Sequence, residues 1–131
     1  VDPIFSGLAT RRFPAQRLIE SILNPNQGDF MSKLYEYLGL VIFFYSNEHY
    51  PVHVHARYQG QESKAEFIIV DGDIKEIRIK SVQGYPPLTG TAVRNFESFL
   101  EQYAQNVVEK WIDYFVYHKE IVFERLNPKS K

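Results

Sequence analysis

The chain has 131 residues, enough for one domain, and its 44% hydrophobic content is that of an ordinary globular protein. A net charge of −1 argues against whole-molecule capture by nucleic acid or membrane, and the absence of cysteine removes disulfides and thiolate metal sites. No apolar run approaches the roughly 20 residues that span a bilayer, and no basic-then-apolar leader opens the chain, so a soluble cytoplasmic protein with no membrane partner is expected.

The chain opens on Val1, and its only methionine is Met31, so residues 1–30 are read as an extension (leader, vector-derived or upstream sequence) to a single domain over 31–131. Within it, residues 14–23 predict a short N-terminal helix. Pro14 suits the first turn, Asn24-Pro25 stops it, and Leu18, Ile19, Ile22 and Leu23 form one apolar stripe. That stripe wants a surface, this chain's own or a neighbour's, which leaves a homo-oligomer open.

From residue 38 the period changes. Residues 38–46 are rich in aromatic and aliphatic side chains and predict a buried strand. Residues 47–51 form a turn. Residues 52–58 alternate cleanly, with Val52, Val54, Ala56 and Tyr58 on one face and His53, His55 and Arg57 on the other. A third strand over 62–70 leads through Asp71-Gly72 into a fourth over 74–80. In that fourth strand Ile74 is out of phase with Ile77 and Ile79, which predicts a bulge or a late start.

Residues 83–90 form a loop, after which Thr89 or Thr91 can cap a long helix. Val93, Phe96, Leu100, Tyr103, Val107, Trp111 and Phe115 recur at threes and fours and mark its buried stripe. His118 falls near its C-terminal end, where an imidazolium suits the helix dipole, and a short strand is expected within 121–126. The fold predicted is α+β: an antiparallel sheet of about four strands packed against one long C-terminal helix, with the short extra N-terminal helix.

The chemistry concentrates in one run. Three of the four histidines, His49, His53 and His55, lie within seven residues, beside Glu48. Side chains at i and i+2 on a strand point the same way, about 6.5–7 Å apart at Cα, so His53 and His55 converge. With His49 folding over from the turn, three imidazoles suit a divalent transition metal such as zinc, with Glu48 as a ligand or an outer hydrogen-bond acceptor. A metal-free alternative makes His53 and His55 base and acid, with Arg57 stabilising negative charge, as RNA cleavage requires. Lys64 and Glu66 on the next strand face the same side if the hairpin register is simple. A third reading leaves the histidines structural. The cations Lys75, Arg78, Lys80, Lys129 and Lys131 read as a solvated surface, which gives nucleic-acid binding little support.

Residues 37–49 running into Pro51-Val52-His53-Val54-His55 resemble the domain of unknown function 4160 family, small and mostly bacterial, with its acidic-His-x-Pro-x-His-x-His signature. The likeness continues through residues 65–69, Asp71-Gly72 and residues 110–115, and covers about 31–126. It marks Glu48, His49, His53 and His55 as the positions to carry over. It also implies a small partner protein, in an arrangement like a toxin–antitoxin pair. Three functions are therefore expected to compete: a toxin–antitoxin-type component acting on RNA or another phosphate ester, a non-enzymatic protein-binding module with structural histidines, and a histidine-based metal-binding domain.

Overall fold

The computed structural model describes residues 31–48 and 51–128. The helix expected over 14–23, His49, Lys129 and Lys131 lie outside the described residues. Strands β1 (Met31–Tyr37), β2 (Leu40–Tyr45), β3 (His53–Tyr58), β4 (Gln61–Val70) and β5 (Asp73–Ser81) precede one helix, α1 (Gly90–Phe115), and a short strand β6 (Glu124–Leu126) follows it. They form a six-stranded sheet in the order β5-β4-β3-β2-β1-β6. β1 to β5 pair antiparallel in succession, and β6 pairs parallel to β1.

The α+β class and the long helix agree with the sequence, but the four-stranded antiparallel sheet is corrected to six strands of mixed direction. The strand expected to begin at Leu38 begins at Leu40, because Leu38 and Gly39 form a two-residue turn, with φ of 52° and 84°. That turn folds β1 back against β2, and the apolar run across it hides the break. Gln59-Gly60 and Asp71-Gly72 repeat the device, both residues of each in the left-handed region that a type I′ hairpin turn requires. The bulge expected near Ile74 is present: Ile68 pairs Glu76 while Ile69 pairs Ile74, leaving Lys75 as the extra residue. β6 is the short strand expected within 121–126.

One face of the sheet carries the helix. Phe96, Leu100, Val107, Trp111 and Phe115 are buried, as the helical stripe predicts, joined by Ala92, Phe99 and Val108, while Val93 and Tyr103 of the stripe are partly buried. The Phe99 ring sits 5.6 Å from both Tyr35 and Tyr37, and Phe115 sits 5.6 Å from Phe44. Thr89 occupies the cap position, but its hydroxyl accepts from Gln61 Nε2 instead of capping the helix. His118 lies beyond the last helical residue, exposed, at a φ of 59°. The opposite face of β2, β3 and β4 holds the histidines.

Candidate functional site

Strand parity builds the site. On β3, His53, His55 and Arg57 share a face, and register places Phe43 opposite His55 on β2, with Glu66, Lys64 and Glu62 opposite them on β4. Lys64 and Glu66 face the same side, as the simple hairpin register predicts. Contrary to a half-exposed polar surface, His53 and His55 are only 5% and 2% exposed, and Glu62 is wholly buried. The His55 ring stacks on Phe43 at 5.3 Å and meets the edge of Tyr45 at 4.6 Å.

Glu48 reaches the cluster from the turn after β2, held by a hydrogen bond from its N–H to the Tyr45 carbonyl at 3.0 Å. Its Oε1 lies 3.2 Å from His53 Nε2 and 3.1 Å from His55 Nε2. The ligand atoms of Glu48, His53 and His55 all fall within 4.8 Å of one another, a group that can hold a metal ion. Both rings are fixed from behind. His53 Nδ1 sits 2.7 Å from the Pro51 carbonyl oxygen, and His55 Nδ1 sits 3.0 Å from Glu62 Oε2. A carbonyl and a carboxylate only accept, so each Nδ1 carries its proton, and each neutral ring presents a lone pair at Nε2.

With both rings neutral, two Nε2 lone pairs and one carboxylate oxygen point at each other, an arrangement relieved either by a shared cation or by added protons on the rings. The second arrangement places two imidazolium rings with centroids 5.1 Å apart. At an effective dielectric constant near 20, that is about 3 kcal/mol of repulsion, to be offset by the carboxylates. A cation satisfies all three atoms at once. The surroundings favour positive charge: burial draws the His55 pKa down, but hydrogen bonds to Glu48 and Glu62 overcome it and hold the pKa above the usual imidazole value. The Glu48 carboxyl is held far below its ordinary range by His53 and His55.

Behind His55 lies a second layer. Glu62 accepts from Arg57 Nε at 2.9 Å and from the Tyr45 hydroxyl at 3.1 Å, while Arg57 Nη2 donates to the hydroxyl oxygens of Tyr45 and Tyr85. The Arg57 guanidinium lies between the Phe43 and Tyr85 rings, 5.3 and 5.1 Å from their centroids. Burial alone would push the Glu62 pKa up, but His55 and Arg57 keep it below the ordinary carboxylate value, so it stays ionised. Partial burial and the neighbouring Glu62 charge drive the Tyr45 hydroxyl above its ordinary range.

The family model described as Domain of unknown function (DUF4160) matches residues 39–112. The chain belongs to the DUF4160 family. No curated protein and no solved structure matches it. The DUF4160 match runs from the β1–β2 turn into the last turns of α1, so Glu48, His53, His55, Arg57, Glu62 and Tyr85 all fall inside it.

Of the residues singled out in the sequence, the structure brings Glu48, His53 and His55 together and sets Arg57 beside Glu62. Glu48 Oε1 lies against both Nε2 atoms, while Glu62 lies behind His55 at Nδ1. Three participants went unnoticed: Tyr45, Glu62 and Tyr85. The signal for Glu62 is the alternation Glu62, Lys64, Glu66, which puts it on the histidine face. Tyr85 carries no local signal, since it reaches Arg57 from the loop whose Pro86 carbonyl accepts the Glu62 N–H. Arg78 pairs Glu76 at 2.8 Å on the solvated surface expected of that strand, whereas Lys80 pairs the mostly buried Glu66 at 2.8 Å.

Proposed function

We propose that this DUF4160 domain is a metal-dependent module that holds one divalent transition ion, zinc first among the candidates, between Glu48, His53 and His55. The observation that carries the reading is the convergence of three lone pairs, with both Nδ1 atoms held as donors from behind. Two nitrogens and one oxygen are the donor set of a catalytic zinc site, which keeps a further coordination position for substrate. Such an ion supplies Lewis acidity toward a phosphoryl or carbonyl oxygen.

The substrate class proposed is RNA or another phosphate ester, in the setting of a toxin–antitoxin-type pair. Lys64, on the same face with about a third of its side chain exposed, shares the one carboxylate of Glu66 with Lys80, so this group keeps positive charge to bring toward an anionic ester. Purified full-length protein should carry near-stoichiometric metal by elemental analysis or bind zinc in titration calorimetry. His53→Ala and His55→Ala should each abolish that binding, and with it RNA cleavage and growth inhibition, while circular dichroism retains the fold. A protein that resists zinc loading would remove the metal. Alanine variants that keep partner binding with no cleavage by wild type would instead support a binding module with structural histidines.

A further inference from the structure

We infer that Glu62 is a positioning residue for the Glu48–His53–His55 site: its buried carboxylate selects the His55 ring form that turns Nε2 toward Glu48 and His53. The inference rests on the metal-binding reading above.

The direction of each hydrogen bond onto Glu62 is determined. Glu62 is wholly buried with the permanently charged Arg57 guanidinium against its carboxylate, so it faces its other neighbours as an acceptor. The Tyr45 hydroxyl gives its only proton to Glu62, leaving its oxygen to accept from Arg57 Nη2 at 3.0 Å. Arg57 donates to Glu62 Oε1 through Nε at 2.9 Å, with Nη2 in ion-pair contact at 2.8 Å, and a guanidinium cannot reverse the bond. His55 Nδ1, 3.0 Å from Oε2, is thereby committed to donating. The carboxylate is itself held in place, since the Glu62 N–H is anchored to the Pro86 carbonyl and Arg57 is flanked by the Phe43 and Tyr85 rings. The two histidines are thus fixed by different means, His53 by the backbone carbonyl of Pro51 and His55 by a full negative charge. A carboxylate behind a ring also raises the basicity of its other nitrogen, which a backbone dipole does less strongly. Glu62 therefore acts on one ligand of the pair, through the ring and not by touching the ion.

Glu62→Gln keeps the shape and removes the charge. Cobalt(II) titrated into full-length protein, read by its visible absorption, should bind the variant about 10- to 100-fold more weakly than wild type, the usual cost of losing such a partner. In zinc-loaded protein with labelled histidine, nitrogen NMR should assign zinc to His55 Nε2 and a proton to Nδ1 in wild type. In Glu62→Gln the His55 Nδ1 proton signal should move while that of His53 stays. Equal cobalt affinity within twofold, or zinc on His55 Nδ1 in wild type, would overturn the inference. Should Glu62→Gln not fold, the wild-type nitrogen assignment decides alone. Wild type that takes neither cobalt nor zinc overturns the metal reading together with this one, whereas wild type that loads normally beside an unaffected variant overturns only the role of Glu62.

Discussion

Arg57 uses its charge inside the protein. Its guanidinium neutralises Glu62, which has no exposure to water, and only a third of the arginine side chain reaches solvent. Removing one member of a buried ion pair costs about 3–5 kcal/mol, because the partner is left charged and unpaired. Arg57→Met should fall toward the lower end of that range, since water reaches the vacated side, and the loss is measured by urea denaturation. The double variant Arg57→Met with Glu62→Gln should recover much of it. A single-variant loss below about 1 kcal/mol would show that Glu62 takes up a proton instead of relying on Arg57. Strand parity alone puts His53, His55 and Arg57 on one face, so the axis of the site is readable from the sequence. Their burial is not, because it depends on the aromatic rings of Phe43, Tyr45 and Tyr85, which arrive from another strand and a distant loop. The role of Glu48 is readable only in part. Its place beside the histidines is evident, but whether it touches a ring depends on the turn that brings Oε1 to both Nε2 atoms.

The hairpins show how an element escapes a sequence reading. Gln59-Gly60 and Asp71-Gly72 carry polar turn residues and are recognised. Leu38-Gly39 sits within an apolar run, so a turn is read as strand and β1 is lost. Leucine at a φ of 52° is an unfavoured choice, and the turn relies on Gly39 at 84° to close. A side chain on Gly39 would also meet Tyr58 Cε1 at 3.1 Å, while one on Gly60 meets nothing within 4 Å. Gly60→Ala should therefore cost only the left-handed conformational penalty, about 1–2 kcal/mol. Gly39→Ala should cost more, as Tyr58 must shift. Thermal melts of the two variants check the ordering, and equal losses would mean that the Tyr58 ring yields freely. The helix needed no such help: its spacing alone identifies Phe96, Leu100, Val107, Trp111 and Phe115. β6 is the opposite case, three residues pairing parallel to β1 only because α1 returns the chain to that edge.

The molecule divides its work between the two faces of one sheet. The helix face holds the apolar core, with Phe99 wholly buried against Tyr35 and Tyr37. The opposite face holds the ion pairs and the histidines. Since β3 serves both, Val54 and Ala56 pointing one way and His53 and His55 the other, the faces are physically joined yet chemically distinct. A ligand that binds only the folded state stabilises it by mass action, about 2.7 kcal/mol at a hundredfold excess over the dissociation constant. Zinc at that excess should raise the melting temperature of wild type, and His55→Ala should abolish the rise. Phe99→Ala should lower the metal-free stability by about 3–5 kcal/mol, the usual cost of emptying an aromatic site in a core. Its zinc-induced stabilisation should nevertheless match that of wild type, because Phe99 packs against Tyr35 and Tyr37 on the helix face of the sheet. Calorimetric melts of the three proteins, with and without zinc, separate the two faces. Loss of the zinc response in Phe99→Ala would mean that packing under α1 sets the spacing of the histidines, and that the faces act as one unit.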